Sequence, residues 1–178
     1  MLVGKLVILR ELRESDLAYT HKWVNQRELK LLTGAYHPVS EVETQRWYER
    51  ISLELEQNAY TFIIETIADN DVIGICSLAN IDWIARKAEL RIKIGEEAHW
   101  GQGAGGETIR LLVDFGFKDL NLHRIYLYVF SNNQRAVQTF EKCGFVGEGH
   151  LRDDAFLDGK YVDSLVMGVI NDPGASSA

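Results

Sequence analysis

The stretch His99-Trp100-Gly101-Gln102-Gly103-Ala104-Gly105-Gly106-Glu107 places four glycines in six positions and runs straight into an apolar-faced segment, TIRLLVDFGFKDL (108–120). It follows an alternating run, KAELRIKIG (87–95), that reads as a strand. Strand, glycine loop and helix in succession form an anion site. Successive backbone N–H groups and the positive end of the helix dipole point at a bound phosphate, and glycines let the backbone come close. The pattern Gly101-x-Gly103-x-x-Gly106 also fits a dinucleotide fingerprint, but three features count against one. The run ELRIKI alternates charged and apolar residues, whereas a central parallel strand is nearly continuous in apolar ones. The next strand, RIYLYVF (124–130), ends in Ser131-Asn132-Asn133 and not in the acidic residue that binds a ribose. Too few β-α units remain after residue 106 for a doubly wound sheet. A P-loop is excluded because no Gly-Lys-Ser/Thr follows the glycines.

Residues 5–11 alternate as a strand, and Ser15-Asp16 provide an N-cap for a helix over 16–26. Ser40 followed by Glu43 makes a capping box for a second helix, whose apolar positions are Val42, Trp47, Ile51 and Leu55. TFIIETI (61–67) and VIGICSLANI (72–81) join 87–95 in an antiparallel meander. Beyond strand 124–130, SNNQRAVQTFEKCGF (131–145) reads as a helix capped by Ser131 or Asn132 and ended by Gly144. A hairpin with its loop at Leu157-Asp158-Gly159-Lys160 and a last strand, YVDSLVMGVI, complete one α/β domain over 1–170. Residues 171–178 read as a frayed tail.

The 178 residues suit one domain of ordinary size, and 46% apolar with 25% charged residues is a globular composition. No run approaches the roughly 18 apolar residues of a spanning helix, and the N-terminus lacks the features of a signal peptide, so no membrane partner and a cytoplasmic location are expected. Cys76 and Cys143 read as buried reduced thiols. The five histidines are scattered, with no metal-ligand spacing, so no metal is expected. A formal charge of −7 argues against nucleic acid as a partner and is compatible with a cationic substrate.

On these residues the chain resembles the GNAT superfamily of N-acetyltransferases. Trp100-Gly101-Gln102-Gly103-Ala104-Gly105 is similar to the acyl-CoA motif of its ribosomal-protein and polyamine N-acetyltransferase branch. Asn133-x-x-Ala136 and Glu141-Lys142-Cys143-Gly144-Phe145 resemble its second signature. The resemblance spans residues 5–170. It implies a mixed, mostly antiparallel sheet with flanking helices, in which strands 87–95 and 124–130 splay apart around the pantetheine arm of acetyl-CoA. It further implies that the pyrophosphate sits on the backbone amides of Gln102, Gly103, Ala104, Gly105 and Gly106. Asn133 then bonds the pantetheine, Phe140 packs beside it, Lys142 approaches the CoA phosphates, and the backbone at Ile92, Lys93 and Ile94 holds the thioester carbonyl. A homodimer is plausible by the same resemblance.

An attacking amine must first lose a proton, usually to a carboxylate acting through water. Glu89, in Ala88-Glu89-Leu90-Arg91, is the expected base by resemblance, while alternation makes it equally a member of a surface ion-pair row with Arg91 and Lys93. The family's proton donor to the departing thiolate is a Tyr at the position of Phe140, so a water, Tyr128, Ser131 or Cys143 is left to substitute. The acceptor is expected to be a small-molecule primary amine, a polyamine or an amino sugar. A protein N-terminus and a non-catalytic acyl-CoA-binding module are the alternatives. Trp23, Trp47, Trp83, Tyr36 and Tyr161 are candidate walls of the acceptor pocket, with Glu41, Glu43, Asp153, Asp154 and Asp163 as its acids.

Overall fold

Eight strands form a single sheet in the order β1-β2-β3-β4-β5-β6-β8-β7. The structure is a computed structural model and describes residues 1–34, 37–53 and 58–172. The strands are β1 (Leu2–Val3), β2 (Val7–Glu11), β3 (Tyr60–Thr66), β4 (Val72–Asp82), β5 (Lys87–Ile94), β6 (Arg124–Phe130), β7 (Val146–Leu157) and β8 (Lys160–Ile170). Every pairing is antiparallel except that of β5 with β6. A parallel pair needs a crossover, and the helix after the glycine loop supplies it.

The helices are α1 (Leu17–Asn25), α2 (Arg27–Thr33), α3 (Glu41–Leu53), α4 (Ala104–Asp114) and α5 (Gln134–Lys142). The main core lies between one face of the sheet and α4 and α5. Ile64, Cys76, Leu78, Leu90, Ile125 and Leu127 of the strands meet Ile109, Leu112 and Phe140 of the helices there. A π-helical turn, Phe115–Asp119, extends α4 and packs Phe115 edge-on against Tyr60 and Phe62 at 5.4 and 5.6 Å. Helices α1 to α3 come between β2 and β3 in the chain, and α1 brings Trp23 against the end of β5. A Cβ at Gly95 would stand 2.3 Å from the Trp23 indole, so only glycine lets this helix approach.

The strands of the meander, the capping box and the final hairpin stand where the sequence puts them. Ser40 Oγ accepts the Glu43 N–H at 3.2 Å, and the Glu43 carboxylate accepts the Ser40 N–H at 2.8 Å. Four local readings change. Asp16 does not cap α1 with its side chain; it is buried, accepts the Arg13 N–H, and binds the Arg10 guanidinium through both oxygens at 2.8 Å. Asn133, and neither Ser131 nor Asn132, caps α5, its Oδ1 accepting the Ala136 N–H at 3.3 Å. Helix α4 begins at Ala104, so Gly105 and Gly106 belong to its first turn and not to the loop before it. Two short elements, β1 and α2, were not anticipated. Tyr36, Leu55 and the tail from 173 onward lie outside the described residues.

The expected splay is present. β5 and β6 pair only at Lys87 with Arg124, Ala88 with Ile125 and Glu89 with Tyr126. Past these, β5 stays bonded to β4 as far as Ile94, and β6 to β8 as far as Phe130. Each strand is thus held from its outer side, and the two facing edges are left with backbone N–H and C=O groups that no strand partner takes up.

Candidate active site

Gly103 turns the chain into α4 with φ of 92°, and Gly101 precedes it at 76°, both in the left-handed region that an L side chain avoids. Gly103 is also the N-cap of α4 and has no side chain with which to satisfy the N–H groups of the first turn. Those groups have no intrahelical acceptor and are free for an anion. Gly105 and Gly106 carry a different message. A Cβ at Gly105 would meet Ile94 at 3.8 Å, and one at Gly106 would meet Arg110 and Thr139 at 3.6 to 3.8 Å, ordinary contacts in each case. Nothing in the protein requires glycine there, although each costs the helix about 1 kcal/mol relative to alanine. Backbone kept bare toward an open cleft fits a ligand that comes close to it.

That cleft has a volume of about 460 Å³ and is bordered by Gly101, Gly103, Gly105 and Gly106, by Ile92–Ile94, and by Asn133, Phe140 and Lys142. Of the residues expected to bind the cofactor, Gln102 and Ala104 are the two that do not border it. Trp100 also borders it, locked by its indole N–H on the Ile94 carbonyl at 2.9 Å, with the Arg135 guanidinium 4.1 Å above its ring. Gln102 folds its side-chain amide back onto the Ala98 carbonyl, and Ala104 is buried beneath the turn, so neither side chain faces the cleft. Arg110, Arg135 and Lys142 supply positive charge around the rim. Glu107, in the first turn of α4, accepts the N–H groups of Lys5, Leu6 and Val7 at 2.7 to 2.9 Å and ties β2 to the loop. Burial pushes its carboxyl up, but those three bonds outweigh this and hold it below the usual carboxylate range.

A second cleft, of about 810 Å³, opens between α2, α3 and the sheet. Trp47 and Arg50 border it from α3, Glu89 and Arg91 from β5, Tyr128 from β6 and Asp154 from β7. The two clefts meet. Leu32, Thr33, Ile92, Lys93, Asn133, Ala136 and Phe140 border both, so the splay between β5 and β6 is open from two sides.

Of the ten residues expected to shape an acceptor pocket, Trp47 and Asp154 border this cleft. Trp23 is 1% exposed and belongs to the core, its indole N–H donating to Glu96 at 2.8 Å. Trp83 lies exposed on the turn before β5, and Tyr161 packs on Phe156 at the tip of the hairpin. Glu43 is used in the capping box beside Glu41, and Asp163 accepts the Asp153 N–H and bonds His150. Tyr36 falls outside the described residues.

Glu89 is held in place by its neighbours. Arg91 donates to both carboxylate oxygens at 2.8 Å, and Asn80 donates to Oε2 at 2.8 Å. Three of its roughly four acceptor sites are thereby used, leaving one on Oε1. Sequence reasoning missed Asn80. It sits at φ of 51° where the β4–β5 register shifts, and an Asn in that backbone region is the one local signal available. The Lys93 ammonium forms no hydrogen bond or ion pair among the described residues, and burial lowers it below the usual lysine range. Phe140 is buried against Phe145 and presents no hydroxyl. Of the groups expected to replace it, Tyr128 borders the acceptor cleft only, and Cys143 borders the other only, its thiol donating to the Gly106 carbonyl. Ser131 borders neither.

A family model described as an acetyltransferase (GNAT) domain matches residues 7–146. The chain is 36% identical over 164 residues to a spermidine N(1)-acetyltransferase of Vibrio cholerae, covering 91% of each. It is 30% identical over 161 residues to the spermidine N(1)-acetyltransferase of Escherichia coli K12, covering 90% of this chain and 84% of that one. Its fold is similar to the crystal structure of the Vibrio cholerae spermidine N-acetyltransferase in complex with CoA and spermine. The TM-score is 0.84 at 34% identity, over 92% of this chain and 95% of that one. With the glycine-cradled helix terminus, the splayed strand pair and these relatives together, the chain belongs to the GNAT acetyltransferase family and is an acetyl-CoA-dependent N-acetyltransferase.

Proposed function

We propose that the acetyl group passes from acetyl-CoA to the primary amine of a small molecule, a polyamine or an amino sugar, by direct attack in a ternary complex. The observation that carries this reading is the meeting of two clefts at the splay of β5 and β6. One is built for an anionic, extended cosubstrate and the other has room for an acceptor. The N–H groups of Gln102–Gly106 hold the pyrophosphate, with Arg110 and Lys142 as counter-charges. Asn133 spends its oxygen on capping α5, which leaves its amide N–H groups for the pantetheine, and Phe140 packs beside that arm. The free edge at Ile92–Ile94 receives the thioester carbonyl, and a backbone N–H there stabilises the oxyanion as it develops. Glu89, whose Oε1 keeps one acceptor site, takes the proton from the acceptor ammonium through a water.

The relatives' activity supports a polyamine. A specific observation favours the amino sugar as a second reading: Arg50, Arg91 and Lys93 border the acceptor cleft against Glu89 and Asp154, so its described lining does not carry the excess of negative charge that suits a polycation. The cytoplasmic location goes with this reading and is supported by the two free thiols, Cys76 and Cys143. Among the described residues no helix is long and apolar enough to cross a membrane. Self-association is also proposed. β7 is the longer of the two edge strands of the sheet and exposed over most of its length, and sedimentation of the purified chain tests it.

Steady-state CoA release with spermidine, glucosamine and a short peptide as acceptors tests the reading. Turnover with one of the small amines, falling about 100-fold in Glu89→Gln, is expected. Turnover with the peptide alone would move the acceptor to protein N-termini, and acetyl-CoA binding without any turnover would leave a binding module.

A further inference from the structure

Breaking the C–S bond leaves a thiolate that must be protonated, and the place where it forms is the junction shared by the two clefts. Among the seven residues that border both, only Thr33, Lys93 and Asn133 carry a polar side chain. The Thr33 hydroxyl is donated to the Leu29 carbonyl at 2.7 Å, and an amide such as that of Asn133 is no acid. Every other group that titrates below the arginine range borders one cleft alone: Cys76, Glu89, Tyr128 and Asp154 the acceptor cleft, and His99, Lys142 and Cys143 the other. Lys93 is thus the single residue with a titratable side chain, among the described residues, that borders both clefts.

We propose that the Lys93 ammonium is the proton donor to the departing CoA thiolate. This rests on the reading of the junction as the site of acetyl transfer. The acceptor nitrogen's electron pair forms the C–N bond, the carbonyl re-forms, and the C–S bond breaks with its pair on sulfur. A proton moves from Lys93 Nζ to that sulfur and gives the thiol. The acceptor ammonium sheds two protons in becoming an amide nitrogen. One replaces the proton that Lys93 has given, and the other is released to solvent.

Two further observations agree. The Lys93 ammonium has no hydrogen-bond or ion-pair partner among the described residues, so no carboxylate holds its protons in place. Burial lowers its affinity for them toward that of a thiol, about 8.5 for an unperturbed one, which brings donor and acceptor closer to a match. Lys93 also lies on the stretch of β5 beyond its pairing with β6, the edge on which the proposed function places the thioester carbonyl.

The test compares the native protein, Lys93→Met, Lys93→Arg, and Lys93→Met combined with Phe140→Tyr, by kcat and by acetyl-CoA binding in calorimetry. Binding should stay within about threefold, while kcat falls roughly 100-fold in both Lys93 variants, since arginine keeps the charge but does not release a proton near neutrality. Phe140→Tyr, which puts a hydroxyl on another junction residue, should restore at least about tenfold of the activity lost in Lys93→Met. Full activity in Lys93→Met, recovery in Lys93→Arg, a fall explained by lost acetyl-CoA binding, or no gain from Phe140→Tyr would each overturn the assignment. A native protein that turns over no amine would instead remove the reading of the site on which the assignment rests.

Discussion

Gly105 and Gly106 are glycines that the folded chain does not need. Each has room for a methyl group and sits in the first turn of α4, where alanine is the better helix former. Gly105→Ala should therefore stabilise the protein by about 0.5–1 kcal/mol, raising Tm by a few degrees, and, if the pyrophosphate lies where we propose, weaken acetyl-CoA by tenfold or more, because the added Cβ would stand between backbone and phosphate. Thermal melting and calorimetry on the same sample check both signs, and a variant that is more stable with unchanged affinity would move the pyrophosphate elsewhere. These glycines were visible in the sequence as a cluster, although their place inside the helix was not. Asn80 and Lys93 were harder to read. Asn80 reaches Glu89 only because a register shift turns it, and Lys93 is distinguished from Arg91 by its lack of a partner, which no local pattern records.

At the scale of elements, the start of α1 is fixed to the sheet by one buried ion pair. Asp16 is 2% exposed and binds the Arg10 guanidinium at both oxygens, while Glu65 takes the Arg10 Nε–H at 2.6 Å. The sequence reading made Asp16 an N-cap because Asp before an amphipathic run is a common start signal, and local spacing does not show that Arg10 lies beneath it. Asp16→Ala leaves a buried guanidinium short of its partner and should cost about 3–5 kcal/mol, measured as a shift in denaturant midpoint. Burial pushes the Asp16 carboxyl up, but hydrogen bonds from Arg10 and from the Arg13 N–H outweigh it and hold it below the usual range. A depressed carboxylate contributes stability that is fully present above its unfolded value near 3.9 and is lost as pH falls through the lower folded value. Removing the carboxylate in Asp16→Asn should flatten that acid limb, and an unchanged acid profile would show that other carboxylates set it. The meander and the final hairpin, in contrast, were legible from alternation and turn residues alone. The two-residue β1 and the seven-residue α2 are too short for a periodic signal to register.

Over the whole molecule the decisive feature is a defect in the sheet. A parallel pair that lets go after three residues makes an opening through which one substrate can meet another, and its position depends on pairings between residues far apart in the chain, such as Glu89 with Tyr126. Alternation predicted both strands; their adjacency and divergence came from family resemblance, since periodicity says nothing about which strands become neighbours. The opening also decides the order of chemistry. With both substrates able to sit at the junction at once, no covalent acetyl-enzyme is required, and the thiols are badly placed to form one. Cys76 faces the core, where burial pushes its thiol well up, and Cys143 is raised by burial against the weaker effect of Arg110. Neither borders both clefts. Initial rates at varied acetyl-CoA and acceptor should consequently give intersecting lines, and the intact mass after incubation with acetyl-CoA alone should carry no acetyl group. Parallel lines, or an acetylated protein that passes its acetyl group on to the amine, would mean that a residue of the chain takes the acetyl group first, and direct attack across the splay would have to be abandoned.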